Sequence, residues 1–208
     1  MEKALPAVQA DWRERKFERN RTDILEAAAR AFANKGLSGA TMQDIAAEAG
    51  YTVPTLYSYF KSRDDIVQGL MLMMHRELIS TFEEPPASGL SFAQNLELLM
   101  RRALELADRR RATLLMMLGL ERHPVSRDEK GCTAFDQLQR TVERWIEQAS
   151  GGQLGGRTTE EATLCMLGIW HSYFASWLLR GCEARLADST TTVVDLILHG
   201  ICGRGVER

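Results

Sequence analysis

The chain has 208 residues, 45% of them hydrophobic and 26% charged, with a net charge of -2. That is enough apolar material for one or two self-sufficient cores, which excludes a disordered chain or one that needs disulfide or metal staples. The four cysteines, Cys132, Cys165, Cys182 and Cys202, never form a C-x-x-C pair and are expected as reduced thiols, with no metal site and no cofactor. The first twenty residues lack an apolar signal core, and no apolar run reaches membrane-spanning length, so a cytoplasmic protein without a membrane partner is expected.

Helical spacing of apolar residues recurs along almost the whole chain and strand-like alternation does not, so the fold class is all-α. Before the first periodic segment, Arg13, Arg15, Lys16, Arg19 and Arg21 outnumber Glu14 and Glu18, marking residues 1–19 as a basic N-terminal arm. Asn20 or Thr22 is expected to cap a first helix with Ile24, Leu25, Ala28, Ala31 and Phe32 on one face, stopped by Gly36. A second, two-turn helix is expected from the cap Thr41 to Gly50. Thr52 then caps a third, whose first turn tolerates Pro54 because no amide hydrogen is required there.

A long amphipathic helix follows from Ser62 to the Pro85-Pro86 break. Further helices are expected at 91–109, 112–122, 127–149, 158–180 and 189–202. The boundaries imply an N-terminal head at 20–65 and a larger helical body at 66–208.

On a helical wheel Leu56 and Phe60 fall on one line, facing the core, and Pro54 and Ser58 point the opposite way with Thr55 and Tyr57 beside them. A small, hydroxyl-bordered outward face followed by Lys61 suits entry into a DNA major groove. There, apolar groups meet thymine methyls and flanking Tyr and Lys hold phosphates. Thr41 and Gln43 sit at a helix N-terminus, where free amides favour a phosphate. A well-packed three-helix unit with no ligand is the alternative, since hydroxyls also cap helices for purely structural reasons.

The segment Thr41-Met-Gln-Asp-Ile-Ala-Ala-Glu-Ala-Gly50, continued by Tyr51-Thr-Val-Pro-Thr-Leu-Tyr-Ser-Tyr-Phe60-Lys-Ser-Arg, resembles the tetracycline-repressor (TetR) family. The resemblance covers about residues 20–68. It implies a homodimer that places two such heads on a double-stranded, pseudo-palindromic DNA operator, and a body that binds a small-molecule effector and releases the DNA. Carried over by position, it gives Thr41 and Tyr57 as phosphate contacts and Tyr59 and Lys61 as backbone anchors. Thr52, Val53, Pro54, Thr55 and Ser58 fall at base-reading positions. Val53 and Pro54 stand where many members have a basic residue and a glycine, which shifts the expected reading toward van der Waals contact.

In the body, Met71, Met74, Met100, Met116, Met117, Trp145, Trp170, His171 and Phe174 form either ordinary core or, as the resemblance implies, the walls of an adaptable effector pocket. Gly168, Ser172 and Ser176 recur every four residues, and with Val194, Ile197 and Ile201 they fit either a dimer seam or internal packing. The Gly151-to-Thr158 loop falls short of a phosphate-binding loop because Arg157 stands at the lysine position and a helix precedes it. No paired carboxylates or nucleophile-base spacing points to an enzyme, though a helical carrier or a ligand-independent regulator remains open.

Overall fold

A computed structural model describes the backbone of residues 5–118, 134–152 and 154–202, and the side chains of 11–114, 136–152 and 154–199. The described elements are α1 (Leu5–Lys35), α2 (Met42–Ala49), α3 (Val53–Tyr59), α4 (Arg63–Glu83), α5 (Phe92–Arg109), α6 (Arg111–Leu118), α7 (Ala134–Ser150), α8 (Thr159–Leu179) and α9 (Thr190–Cys202). A short 3-10 turn at Leu186–Ser189 leads into α9, and no strand occurs among the described residues. No helix among them is long and apolar enough to cross a membrane. The chain divides inside α4, with one compact unit up to Met73 and a second containing most of the remainder.

The first helix departs from expectation. It starts at Leu5, fifteen residues before Asn20, so neither Asn20 nor Thr22 is a cap. Residues 5–19 contain no glycine, their one proline lies in the first turn where it costs no hydrogen bond, and Asp11 and Arg15 pair at helical spacing, 2.7 Å apart. Thr22 instead donates its hydroxyl to the Glu18 carbonyl, 3.0 Å away, one turn back in the same helix.

In the N-terminal unit Ile24, Ala28 and Phe32 of α1, Ile45 of α2, Leu56 of α3, Phe60, and Ile66 and Leu70 of α4 are all buried. Burying a side chain of this size contributes roughly 1.5–3 kcal/mol. Short helices such as α2 and α3 therefore hold by packing and caps, since two turns alone do not pay for nucleation. Gly69 permits α4 to lie close, because a Cβ there would stand 2.9 Å from Leu25 Cδ2 and 3.2 Å from Phe60 Cε1.

The C-terminal unit is built on α5, whose Leu96, Met100, Ala103, Leu104 and Ala107 are buried. Ser91 and Gln94 form a capping box at its start, and buried Asn95 accepts from the Ala87 amide at 2.7 Å while donating back to the Ala87 carbonyl. At the other end of α5, Asp108 accepts from the amides of Leu186 and Ala187 at 2.8 and 3.0 Å, capping the 3-10 turn. That turn lies in a stretch expected as loop. Its capping carboxylate comes from seventy-eight residues away, a partner that local sequence does not reveal.

Candidate nucleic-acid interface

The turn between α2 and α3 is built by matched caps. Thr41 Oγ1 accepts from the Asp44 amide at 3.2 Å and donates to Asp44 Oδ2 at 2.8 Å, while the Thr41 amide donates to the same carboxylate at 3.0 Å. Gly50 closes α2 in the left-handed conformation at φ 70°, a geometry a Cβ would disfavour. Thr52 then caps α3 by accepting from the Thr55 amide, and the two threonine hydroxyls share a 2.8 Å bond.

The α3 wheel is as the spacing predicts. Leu56 and Phe60 are fully buried, and Pro54, Tyr57 and Ser58 face solvent, Tyr57 at 51% exposure. Val53, Thr55 and Tyr59 are half-buried, while Gln43, Thr52 and Lys61 are exposed. Gln43, Thr52, Pro54, Tyr57, Ser58 and Lys61 are thus all open to solvent, and the exposed residues of α3 share the side of the helix opposite Leu56 and Phe60.

Several of these groups are less free than their exposure suggests. The Thr41 hydroxyl both accepts and donates within the capping box, so a phosphate at the start of α2 would have to compete with Asp44. Ser58 donates to the Thr55 carbonyl at 2.6 Å, leaving its oxygen as an acceptor. The Lys61 amide is taken by Asp65 Oδ2 at 2.9 Å, but its ammonium has no ion-pair partner among the described residues. Arg63 is turned inward onto the Leu37 carbonyl at 3.0 Å.

Charge around these residues is arranged in pairs. Lys35 lies 2.6 Å from Asp44 and Arg30 2.8 Å from Glu48, so the acids of α2 are neutralised by cations of α1. The Lys35 bond, with the Thr41 amide and hydroxyl, lowers the Asp44 pKa to about 2. Sequence reasoning missed these cross-helix partners because their spacing, nine and eighteen residues, belongs to no local pattern.

Tyr59 is held from the N-terminal side. Its ring stacks on Phe17 with centroids 4.7 Å apart and planes 24° off parallel, Tyr51 stands 6.2 Å away, and Asn20 Nδ2 donates to its hydroxyl at 2.9 Å. Asn20, expected as a cap, is thus a partner of the third helix.

In the C-terminal unit the expected pocket residues separate. Met74, Met100 and Trp145 are buried, Trp145 standing 6.3 Å from Phe92, and Trp170 stacks on Phe174 at 5.5 Å and 5°. Met71 lies in the N-terminal unit, half-buried, and His171 is exposed on the outer side of α8. The side chains of Met116, Met117 and Ile201 lie outside the described residues. Gly168, Ser172 and Ser176 line the exposed side of α8 between the exposed Leu164 and Leu179. Val194 and Ile197, expected at the same seam, are instead buried within their own unit, because the apolar stripe of α9 faces its neighbours there, and Leu196 is the residue left outside.

Residues 24–70 match the family profile described as bacterial regulatory proteins, tetR family. A curated relative, the HTH-type transcriptional repressor KstR2 of Rhodococcus jostii, is 35% identical over 88 residues, 42% of this chain and 43% of that protein. The chain thus aligns to less than half of that relative's length. Among solved structures, the TetR family regulator PfmR of Thermus thermophilus superposes with a TM-score of 0.67 at 21% identity, over 89% of this chain and 99% of that one. The regulator FadR of Bacillus subtilis in complex with stearoyl-CoA gives 0.65 at 19% identity, over 86% and 98%. At these identities the structural likeness speaks for the fold.

Proposed function

We propose, from the premise that this chain carries a tetR-family head on an all-α body, that it is a DNA-binding transcriptional regulator whose α3 reads an operator and whose body senses a small molecule. The observation that carries the reading is the outward strip of α3. Leu56 and Phe60 fix the helix from below, and Pro54, Tyr57 and Ser58 remain exposed above it. Base choice falls to Thr52, Val53, Pro54, Thr55 and Ser58 through small apolar and hydroxyl contacts. Backbone grip falls to Tyr57, Tyr59 and Lys61, with Gln43 at the start of α2. Thr41 acts mainly through the capping box that aims α2.

The proposal includes a homodimer. The exposed side of α8, with Leu164, Gly168, Ser172, Ser176 and Leu179, is a small and apolar surface that a second copy can approach closely. Leu196 of α9 is its exposed apolar companion.

The effector reading rests on the inner side of α8. Thr163 Oγ1 and Trp170 Nε1 are buried with no hydrogen-bond partner among the described residues. Seven residues apart, they lie on the same helical stripe, with the Trp170–Phe174 stack one turn further on. Unsatisfied buried polar atoms are costly, so a mostly apolar effector carrying one acceptor and one donor would gain by pairing them once this stripe opens to it. Release of DNA then requires that the effector bind the DNA-free conformation more tightly, as differential affinity alone shifts an equilibrium.

Selection from random-sequence duplex DNA with the full-length chain tests the central part. Enrichment of a two-fold symmetric site supports a dimer reading DNA, whereas recovery of no sequence above background removes the reading. Loss of the selected duplex on adding a hydrophobic compound that also raises the melting temperature supports the sensor role.

A further inference from the structure

The part of α1 that precedes the matched segment carries a charge pattern that the head's own packing does not require. Residues 11–19 project as a helix, and at 100° per residue Arg13, Lys16 and Arg19 fall within an arc of roughly 120°. Asp11, Glu14 and Glu18 cluster on the other side, where Asp11 already holds Arg15 at 2.7 Å. Arg13 and Arg19 have no ion-pair partner among the described residues, and the Lys16 ammonium lies 5.0 Å from the centroid of the exposed Trp12 ring.

The extension is also tied to α3. Phe17 stacks on Tyr59, and Asn20 donates to the Tyr59 hydroxyl, so that hydroxyl keeps its own hydrogen for an outside acceptor. Phe17 and Asn20 flank Arg13 on the wheel, so the cationic stripe begins on the side of α1 that meets the C-terminal end of α3 and turns away from it through Lys16 to Arg19.

We propose that this stripe is a second DNA-binding site, a phosphate-tracking ridge formed by Arg13, Lys16 and Arg19. It extends the footprint of the head onto the duplex flanking the operator, latched to α3 through Phe17 and Asn20. The occupant is the duplex backbone, because a row of three like-signed cations spread over about 9 Å of helix on long, flexible side chains can reach successive phosphates of a strand carrying one negative charge per about 3.4 Å of duplex axis. Because the ridge is already folded, little ordering is required on contact, and because it makes no base contacts it adds affinity without sequence preference. The proposal rests on the DNA-reading role of α3.

The test uses full-length protein and a duplex recovered by selection from random-sequence DNA, with long flanks and trimmed to the symmetric site. For the triple variant R13A, K16A and R19A the slope of log K against log salt falls by about two to three per head, and the preference for long flanks disappears. Phe17→Ala, which loosens the latch while retaining every charge, reduces the long-flank preference at unchanged selected sequence. Circular dichroism and melting of both variants separate loss of contact from loss of the helix. An unchanged salt slope and flank preference in a folded triple variant overturns the ridge and leaves the stripe to solvent or to a protein partner. Failure of the unmodified chain to bind any selected duplex overturns the DNA reading, and the ridge with it.

Discussion

The N-terminal and C-terminal units use the same element and cap their helices in the same local way, as Ser91 with Gln94 and Thr158 with Glu161 show in the second, but they differ in what they leave buried inside. In the first, hydroxyls and carboxylates are bonded locally at helix ends: Thr41 with Asp44, Thr52 with Thr55, Ser58 with a carbonyl one turn back. In the second, Thr163 Oγ1 and Trp170 Nε1 stay buried on α8 with no hydrogen-bond partner among the described residues. A unit whose polar groups are satisfied on its own surface needs no guest to complete them. A unit with unsatisfied groups inside is poised to gain from a guest that pairs them.

That contrast is open to attack at several points. The largest effect is expected from Leu56→Ala, which removes the buried anchor of α3 and costs about 2–5 kcal/mol in denaturant unfolding, with loss of DNA binding. The opposite sign is expected in the body. Thr163→Val replaces an orphan hydroxyl by a methyl of similar shape and stabilises the effector-free protein by about 1 kcal/mol, while weakening the response to an effector. A destabilised Thr163→Val protein would show that the hydroxyl has a partner and that the two units do not differ in this way.

Smaller effects sharpen the account of the head. Thr41→Ala removes the α2 cap and costs about 1 kcal/mol by thermal unfolding. Asp44, its partner, titrates at about 2 in the folded chain instead of near 3.8, so its stabilising bonds are complete at neutral pH. They weaken as the pH falls below the unfolded value and are gone once it passes the folded one. Asp44→Asn should flatten acid unfolding within that window, and an unaltered acid limb would show that the capping box does not stabilise α2. Lys61→Ala should lower the salt slope of DNA binding by about one with no change in melting temperature.

The sequence made the head legible because its information is local. Caps sit three residues from their partners, Gly50 marks the turn, and the 56–60 spacing gives the buried side of α3. The start of α1 was not legible, because Asn20 has the chemistry of a cap and only its contact with Tyr59, thirty-nine residues on, shows that it is not one. In the body, methionines and aromatics announce burial but not what they are buried against. Met71 therefore belongs to the N-terminal unit, His171 is exposed, and Val194 and Ile197 are buried in their own unit.

The central claim, that the outward strip of α3 chooses the DNA sequence, is tested most directly by selection with Pro54→Gln beside the unmodified chain. Pro54 is exposed in the first turn of α3, so the head should stay folded. A glutamine there can bond an adenine edge through two contacts. The account predicts a symmetric site altered at one position in each half, with adenine newly preferred, at unchanged melting temperature. Recovery of the same site by both proteins would contradict it.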